Sequence, residues 1–245
     1  IDFVALYEKH KRKGATTTLM SLFAMGLSGC FGSSTSTTTS APLDAKVTGT
    51  VFDGLLEGAT VYWDQNNNKL FDTDEATYSA TTNSSGQYSL TLPNSATGTP
   101  INVRFLTTAD TIDKDTNAPT GANISFAAAP VTPIASNLPD VETVISPITD
   151  IVANLIDTGL TEAEAEQETL EALGLDVATV GGTDEIDLKT FNPFEENIVA
   201  SSSLDEATVA KVAAVGAQIF SMVHTASEAA SAAGLDKAEA VAAAI

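Results

Sequence analysis

The sequence predicts an α+β multidomain protein, in which an N-terminal export segment precedes a small antiparallel β-sandwich and then an all-α helical region. Three observations carry this reading. Between Val47 and Leu92, successive runs alternate side chains with a period of two and are rich in β-branched and aromatic residues. From Ser146 onward the apolar period lengthens to that of a helix, about 3.6 residues. Ahead of both, a basic cluster and a short apolar run end at the single cysteine, Cys30.

Composition narrows the function classes. The 245 residues leave room for two modest domains and an export segment, and a hydrophobic content of 43% is enough to build a core. A formal net charge of −21 excludes nucleic acid as a partner, because no basic stripe is left to neutralise phosphates. So many carboxylates suit divalent cations, or serve simply as the solvated surface of an exported protein. One cysteine cannot form an internal disulfide, so its purpose lies elsewhere.

The chain begins at Ile1 rather than Met and ends in an alanine-rich helical pattern without a stop signal, so a fragment open at both ends, truncated at its C-terminus, is expected. Lys9, Lys11, Arg12 and Lys13 form a basic region, and Ala15 to Leu27 is a small, apolar run too short to span a bilayer. The run closes on Leu27-Ser28-Gly29-Cys30, which resembles the lipobox of bacterial lipoproteins. The resemblance implies that residues 1–29 are a signal peptide that is removed. It also implies lipidation of Cys30, a membrane partner through the lipid anchor, and a place in the bacterial cell envelope. Phe31 stands where the family's inner-membrane retention signal would be aspartate, so outer-membrane sorting is expected. Residues 30–44 are then the lipidated cysteine and a Ser/Thr linker, of which Gly32 to Ser40 reach about 15–18 Å as a coil.

The β-sandwich is expected over residues 45–133. Val47-Thr48-Gly49-Thr50-Val51, Gly58-Ala59-Thr60-Val61-Tyr62-Trp63 and Thr81 to Leu90 read as strands, with Ser85-Gly86 as a hairpin turn. Gly49 and Gly58 suit close approaches or bends, and Tyr88 can pack its ring inward while its hydroxyl reaches the edge. Two more strands are expected at Ile101 to Phe105 and Ala122 to Phe126, separated by a loop rich in Asp, Thr, Asn and Pro from Asp110 to Gly121. Val-x-Gly-x-Val, Gly-Ala-x-Val and Thr-x-x-x-x-Gly-x-Tyr-x-Leu resemble the carboxypeptidase-regulatory-like and collagen-adhesin B-type family. That resemblance covers about residues 45 to 93. It implies a transthyretin-like sandwich, used in the family as a spacer, stalk or accessory module.

The loop between the second and third strands carries a candidate metal site. With Asp64 as position one of a twelve-residue loop, Asn66 falls at three, Asn68 at five, the Leu70 carbonyl at seven, Asp72 at nine and Glu75 at twelve. That is the ligand spacing of an EF-hand-type calcium loop, with Lys69 at position six where glycine normally makes the turn. A weak, structural calcium ion is the expected cofactor. The competing reading is a polar connection held by Asx-turns.

The helical region is expected over residues 140–245. Ser146 and Pro147 suit an N-cap and first helical position, Ile148, Ile151, Val152, Leu155 and Ile156 line one face, and Gly159 stops the helix. Thr161 to Glu164 is a capping box that opens a second helix ending near Gly174. The glutamates at 162, 164, 166, 168 and 171 scatter around that helix as a solvated face. A third, long helix opens near Asp205 and carries Val212, Val215, Ile219, Met222 and Val223 on one side. The Gly-Leu-Asp triplets at Gly174 and Gly234 suggest a weak repeat. The region also loosely resembles helical segments that follow β-modules in large bacterial surface proteins.

No catalytic set stands out. His10 and His224 are the only histidines, His10 falls in the signal peptide, and nothing singles out a carboxylate pair. Trp63 with Tyr62 would form a sugar-stacking platform, although burial in a strand is the commoner role for such residues. The sequence therefore predicts a non-enzymatic, membrane-anchored exported lipoprotein: an adhesin-like or stalk module whose partner is an extracellular protein or polysaccharide. The alternative is the N-terminal accessory region of a larger exported enzyme or uptake protein, carbohydrate-related, whose functional domain lies beyond residue 245.

Overall fold

In a computed structural model, residues 44–121, 123–135, 138, 140–175, 187–195 and 205–234 are described. The expected signal peptide, Cys30 and all of the expected linker but Asp44 lie outside them, as do Leu235 and Asp236 of the second Gly-Leu-Asp triplet. The described chain is α+β, as expected.

The centre of the first sheet is β1 (Ala45–Val51), which pairs antiparallel with β5 (Gln87–Leu92). Its other neighbour is β10 (Val141–Ile145), which runs parallel to it. That edge strand falls inside the segment expected to be helical, and it makes the sheet mixed where a purely antiparallel sandwich was expected. Gly49 is what lets β10 close in: a Cβ there would stand 1.7 Å from the Thr143 carbonyl oxygen and 2.9 Å from the Tyr88 hydroxyl. The Tyr88 hydroxyl donates to the Thr143 carbonyl at 3.2 Å, so the ring is buried and its polar end satisfied at the edge.

A second sheet, wholly antiparallel, is ordered β4 (Ser79–Thr81), β3 (Thr60–Asp64), β6 (Asn102–Leu106), β9 (Ser125–Ala127). A small third sheet joins β2 (Leu56–Glu57), β7 (Ile112–Asp113) and β8 (Ala118–Pro119). The turn before β5 is tight, with the Gly86 N–H donating to the Asn83 carbonyl. Yet Ser85-Gly86 is not a hairpin turn within one sheet, because β4 pairs with β3 while β5 pairs with β1. The chain there crosses between sheets. Val47, Val51, Leu90 and Leu92 from the first sheet and Val61, Val103, Phe105 and Phe126 from the second share one buried cluster, which gives a β-sandwich-like region.

Helix α1 (Pro147–Asp157) follows β10 directly, with Ser146 as its N-cap accepting the Thr149 N–H and Gly159 at φ +104 beyond its end. Helix α2 (Glu162–Ala172) opens with the expected Thr161–Glu164 box. Four of its five glutamates are exposed, and Glu166 is half-buried. Helix α3 (Glu206–Ala232) is capped by Asp205. Its Val209 and Val212 pack with Ile148 and Val152 of α1 and Ala165 and Leu170 of α2. Further along, its Phe220 and Val223 enter the sandwich cluster, and Ile219 touches both cores. Met222, expected on the inner face, is 64% exposed, because the face is set by Phe220 a turn away from Gly216 and Val223.

The seating of α3 makes a prediction. Phe220→Ala should cost about 3–5 kcal/mol of unfolding free energy, as for large core truncations, whereas Met222→Ala should change it by about 0.5 kcal/mol or less. Urea unfolding of the two variants checks this, and equal, small effects would show that α3 does not share the sandwich core.

Candidate functional site

The loop that leaves β3 at Asp64 folds around its own oxygen side chains. Asp64, 2% exposed, accepts the Asn68 N–H on Oδ1 at 3.2 Å and the Lys69 N–H on Oδ2 at 3.0 Å. Asn66 Oδ1 accepts the Asn68 N–H at 3.1 Å, and Asn68 Oδ1 accepts the Leu70 N–H at 2.8 Å. These are the Asx-turns of the competing reading, and they wind the chain tightly enough that Asn67 and Lys69 take φ of +54 and +65. Lys69 thus adopts at position six the left-handed backbone that glycine usually supplies. Its amine turns to helix α1, donating to Asn154 Oδ1 at 2.5 Å.

The structure brings three of the expected ligands to one point. Asp72 Oδ2 accepts both Asn66 Nδ2 at 2.8 Å and Asn68 Nδ2 at 2.9 Å. Glu75, 1% exposed, closes the loop from behind: its carboxylate accepts the Gln65 N–H at 2.9 Å and the Asp72 N–H at 3.0 Å. Asp72 is the N-cap of the short 3₁₀ turn Thr73–Tyr78, and Glu75 is its third residue. Leu70 is half-buried in the same loop. Among the described residues no three Asp, Glu, His or Cys side chains are already gathered around one metal position. Each of these residues carries an oxygen of the kind calcium takes, but Asn66 and Asn68 now present their amide nitrogens to Asp72, so both amides would turn over to ligate an ion. Burial pushes the Asp64 carboxyl above its ordinary range, against the pull of the Lys69 N–H and the Arg104 charge. Burial likewise raises Glu75, and the charges of Asp64 and Asp72 add to it. A cation here would relieve both effects.

Behind the loop lies a buried polar chain that the sequence did not reveal. Arg104 of β6 meets Asp150 of α1 at 3.4 Å, with the two side chains 5% and 0% exposed. Asp150 Oδ1 also accepts the Ala127 N–H at 2.6 Å, while Oδ2 accepts Asn154 Nδ2 at 2.9 Å. Thr149 Oγ1 donates to the Ala127 carbonyl at 2.7 Å. Two helix side chains therefore satisfy both backbone groups of one residue in the edge strand β9. Burial outweighs these partners and pushes the Asp150 carboxyl up to about 6. The only signal in the sequence was an acid in the first turn beside the apolar face of α1.

The aromatic platform is not formed. Tyr62 is wholly buried, its ring 4.9 Å from Phe71, whereas Trp63 points to the opposite face of β3 and lies 5.6 Å from Tyr78. His224 is half-buried, stacked on Phe220 at 6.5 Å.

Glu75→Ala strips two loop N–H groups of their acceptor and should cost about 2–4 kcal/mol, read from urea unfolding. A loss near zero would mean that water replaces the clasp. For Asp150, a folded-state pKa of about 6 against an ordinary 3.8 means that the native state holds its proton more tightly than the unfolded chain does. The stability this confers is present below about pH 4 and is lost as pH rises through 6. The unfolding free energy of the wild type relative to Asp150→Asn should therefore fall by on the order of 3 kcal/mol between about pH 4 and about pH 7. A pH-independent difference would contradict the assigned burial.

Comparison of the chain with protein-family models, with curated proteins and with solved structures gave no match.

Proposed function

We propose that the chain is a non-enzymatic, exported lipoprotein: a β-module with attached helices, anchored to the bacterial envelope through Cys30 and stiffened by a weak structural calcium ion in the loop from Asp64 to Glu75. The observation that carries the reading is the convergence of Asn66, Asn68 and Asp72 in a loop whose two flanking carboxylates, Asp64 and Glu75, are buried. Such a loop suits an extracellular setting, where millimolar calcium can fill a site of modest affinity. Asp64, Asn66, Asn68, Asp72, Glu75 and the Leu70 carbonyl would hold the ion. Calcium supplies charge compensation there and no chemistry, which fits a stalk or adhesin-like role toward an extracellular protein or polysaccharide. The lipobox-like tetrapeptide supports the anchor, and outer-membrane sorting follows from Phe31 after the cysteine.

Trp63 is the only tryptophan and adjoins Asp64, so it reports on the loop. Calcium titration should change its emission with a Kd of roughly 10⁻⁴–10⁻³ M, and Asp64→Ala with Asp72→Ala should abolish the change. At ~10 mM calcium a ~1 mM site adds about 1.4 kcal/mol, a rise of a few degrees in Tm. A flat Trp63 signal, together with equal calcium-dependent melting of wild type and double variant, would remove the loop site. Cys30→Ser should abolish fatty-acid labelling and leave an unprocessed precursor, and continued palmitate incorporation would remove the anchor.

A further inference from the structure

Two turns far apart in sequence meet where β2 pairs with β7. The first, between β1 and β2, presents Asp53-Gly54, and the second, between β7 and β8, presents Asp113-Lys114-Asp115-Thr116-Asn117. Gly54, at φ +95, lets the backbone sit against both aspartates of the second turn: a Cβ there would stand 2.5 Å from Asp115 Oδ2 and 2.9 Å from Asp113 Oδ1. Asp113 is partly engaged, accepting the Asp115 N–H at 2.7 Å and the Thr116 hydroxyl at 2.8 Å.

Asp53 is the informative member. The residue keeps part of its surface, but its carboxyl group is almost wholly buried, and Oδ1 has no accessible surface and no hydrogen-bond partner. Burial first, then the charges of Asp113 and Asp115, push its carboxyl well above the ordinary range. The cation nearest in sequence gives no relief, since Lys114 Nζ is paired with Glu57 Oε2 at 2.7 Å. A buried carboxylate facing two others is costly, and a hard divalent cation is the ligand whose chemistry answers that cost.

We propose that Asp53, Asp113 and Asp115 form a second divalent-cation site, of calcium type, separate from the loop that begins at Asp64. The order Asp113-x-Asp115-x-Asn117 resembles the order Asp64-x-Asn66-x-Asn68. As placed, the three carboxylates are not drawn in to metal-ligand spacing. Side-chain rotation in the two adjacent turns would bring them onto the ion.

The site shares no residue with the Asp64 loop, so its test separates from that of the loop. Calcium bound per chain is counted by equilibrium dialysis against radioactive Ca²⁺ up to about 10 mM, on the full chain. Asp53→Asn should lower the count by one while leaving the Trp63 response intact, whereas Asp64→Ala with Asp72→Ala should lower it by one and abolish that response. Asp53→Asn should also raise Tm in chelator, since it removes a repelled charge. Asp115→Asn is the second variant should Asp53→Asn not fold, and the same loss of one ion is expected. An unchanged count in a folded Asp53→Asn or Asp115→Asn variant overturns the site, whatever becomes of the loop.

Discussion

The structure turns on a carboxylate that has left water. Asp150 sits at the first turn of α1 with no exposed surface, and it holds the Ala127 N–H, the Arg104 guanidinium and the Asn154 amide at once. Together with Thr149, which donates to the Ala127 carbonyl, it supplies β9 with the partners that another strand would otherwise provide. An open sheet edge carries unpaired backbone groups that invite pairing with other chains, so this contact both completes the sheet and blunts its edge. A buried ion pair of this kind adds little net stability by itself, but removing one partner leaves an uncompensated charge. Its effect is to fix where the helices sit.

The opposite edge is treated in a similar way. β10 adds itself in parallel beside Gly49, and its own outer side is met by residue 189: the Val144 N–H and the Thr143 hydroxyl both donate to the Lys189 carbonyl, at 2.7 and 3.3 Å. The Asp64 loop is tied to the same framework, since Lys69 reaches Asn154, which holds Asp150 in turn. The loop and the helices thus share polar contacts, while α3 joins the two apolar cores through Phe220 and Ile219.

What was legible in the sequence was local. Strand alternation and the Ser146 and Thr161 caps are written in neighbouring residues, and the structure places strands and caps where period and motif put them. What was hidden depends on partners distant in the chain. Val141 to Ile145 is a short run that passes straight into Ser146-Pro147 without a turn signal, so it became a strand only through β1. In α3 the alanines flatten the periodicity, so Met222, expected inside, lies outside, while Phe220, which the sequence reading did not single out, is buried. Asp150 and Arg104 are 46 residues apart, and no motif marks either. Asp53 gains meaning only when β2 lies on β7. The loop spacing was visible, but not that Lys69 would take the glycine conformation and carry its amine to another element.

If the Asp150 contact binds helix and sheet into one unit, their backbone amides should share one opening free energy. Native-state hydrogen exchange measures this directly. The amides of Val152 and Ala153 in α1 should exchange with the same free energy, and the same denaturant dependence, as those of Val103 and Phe105 in β6. Exchange in α1 more than about tenfold faster than in β6, with little denaturant dependence, would mean that the helix opens alone and that its first turn does not secure the sheet.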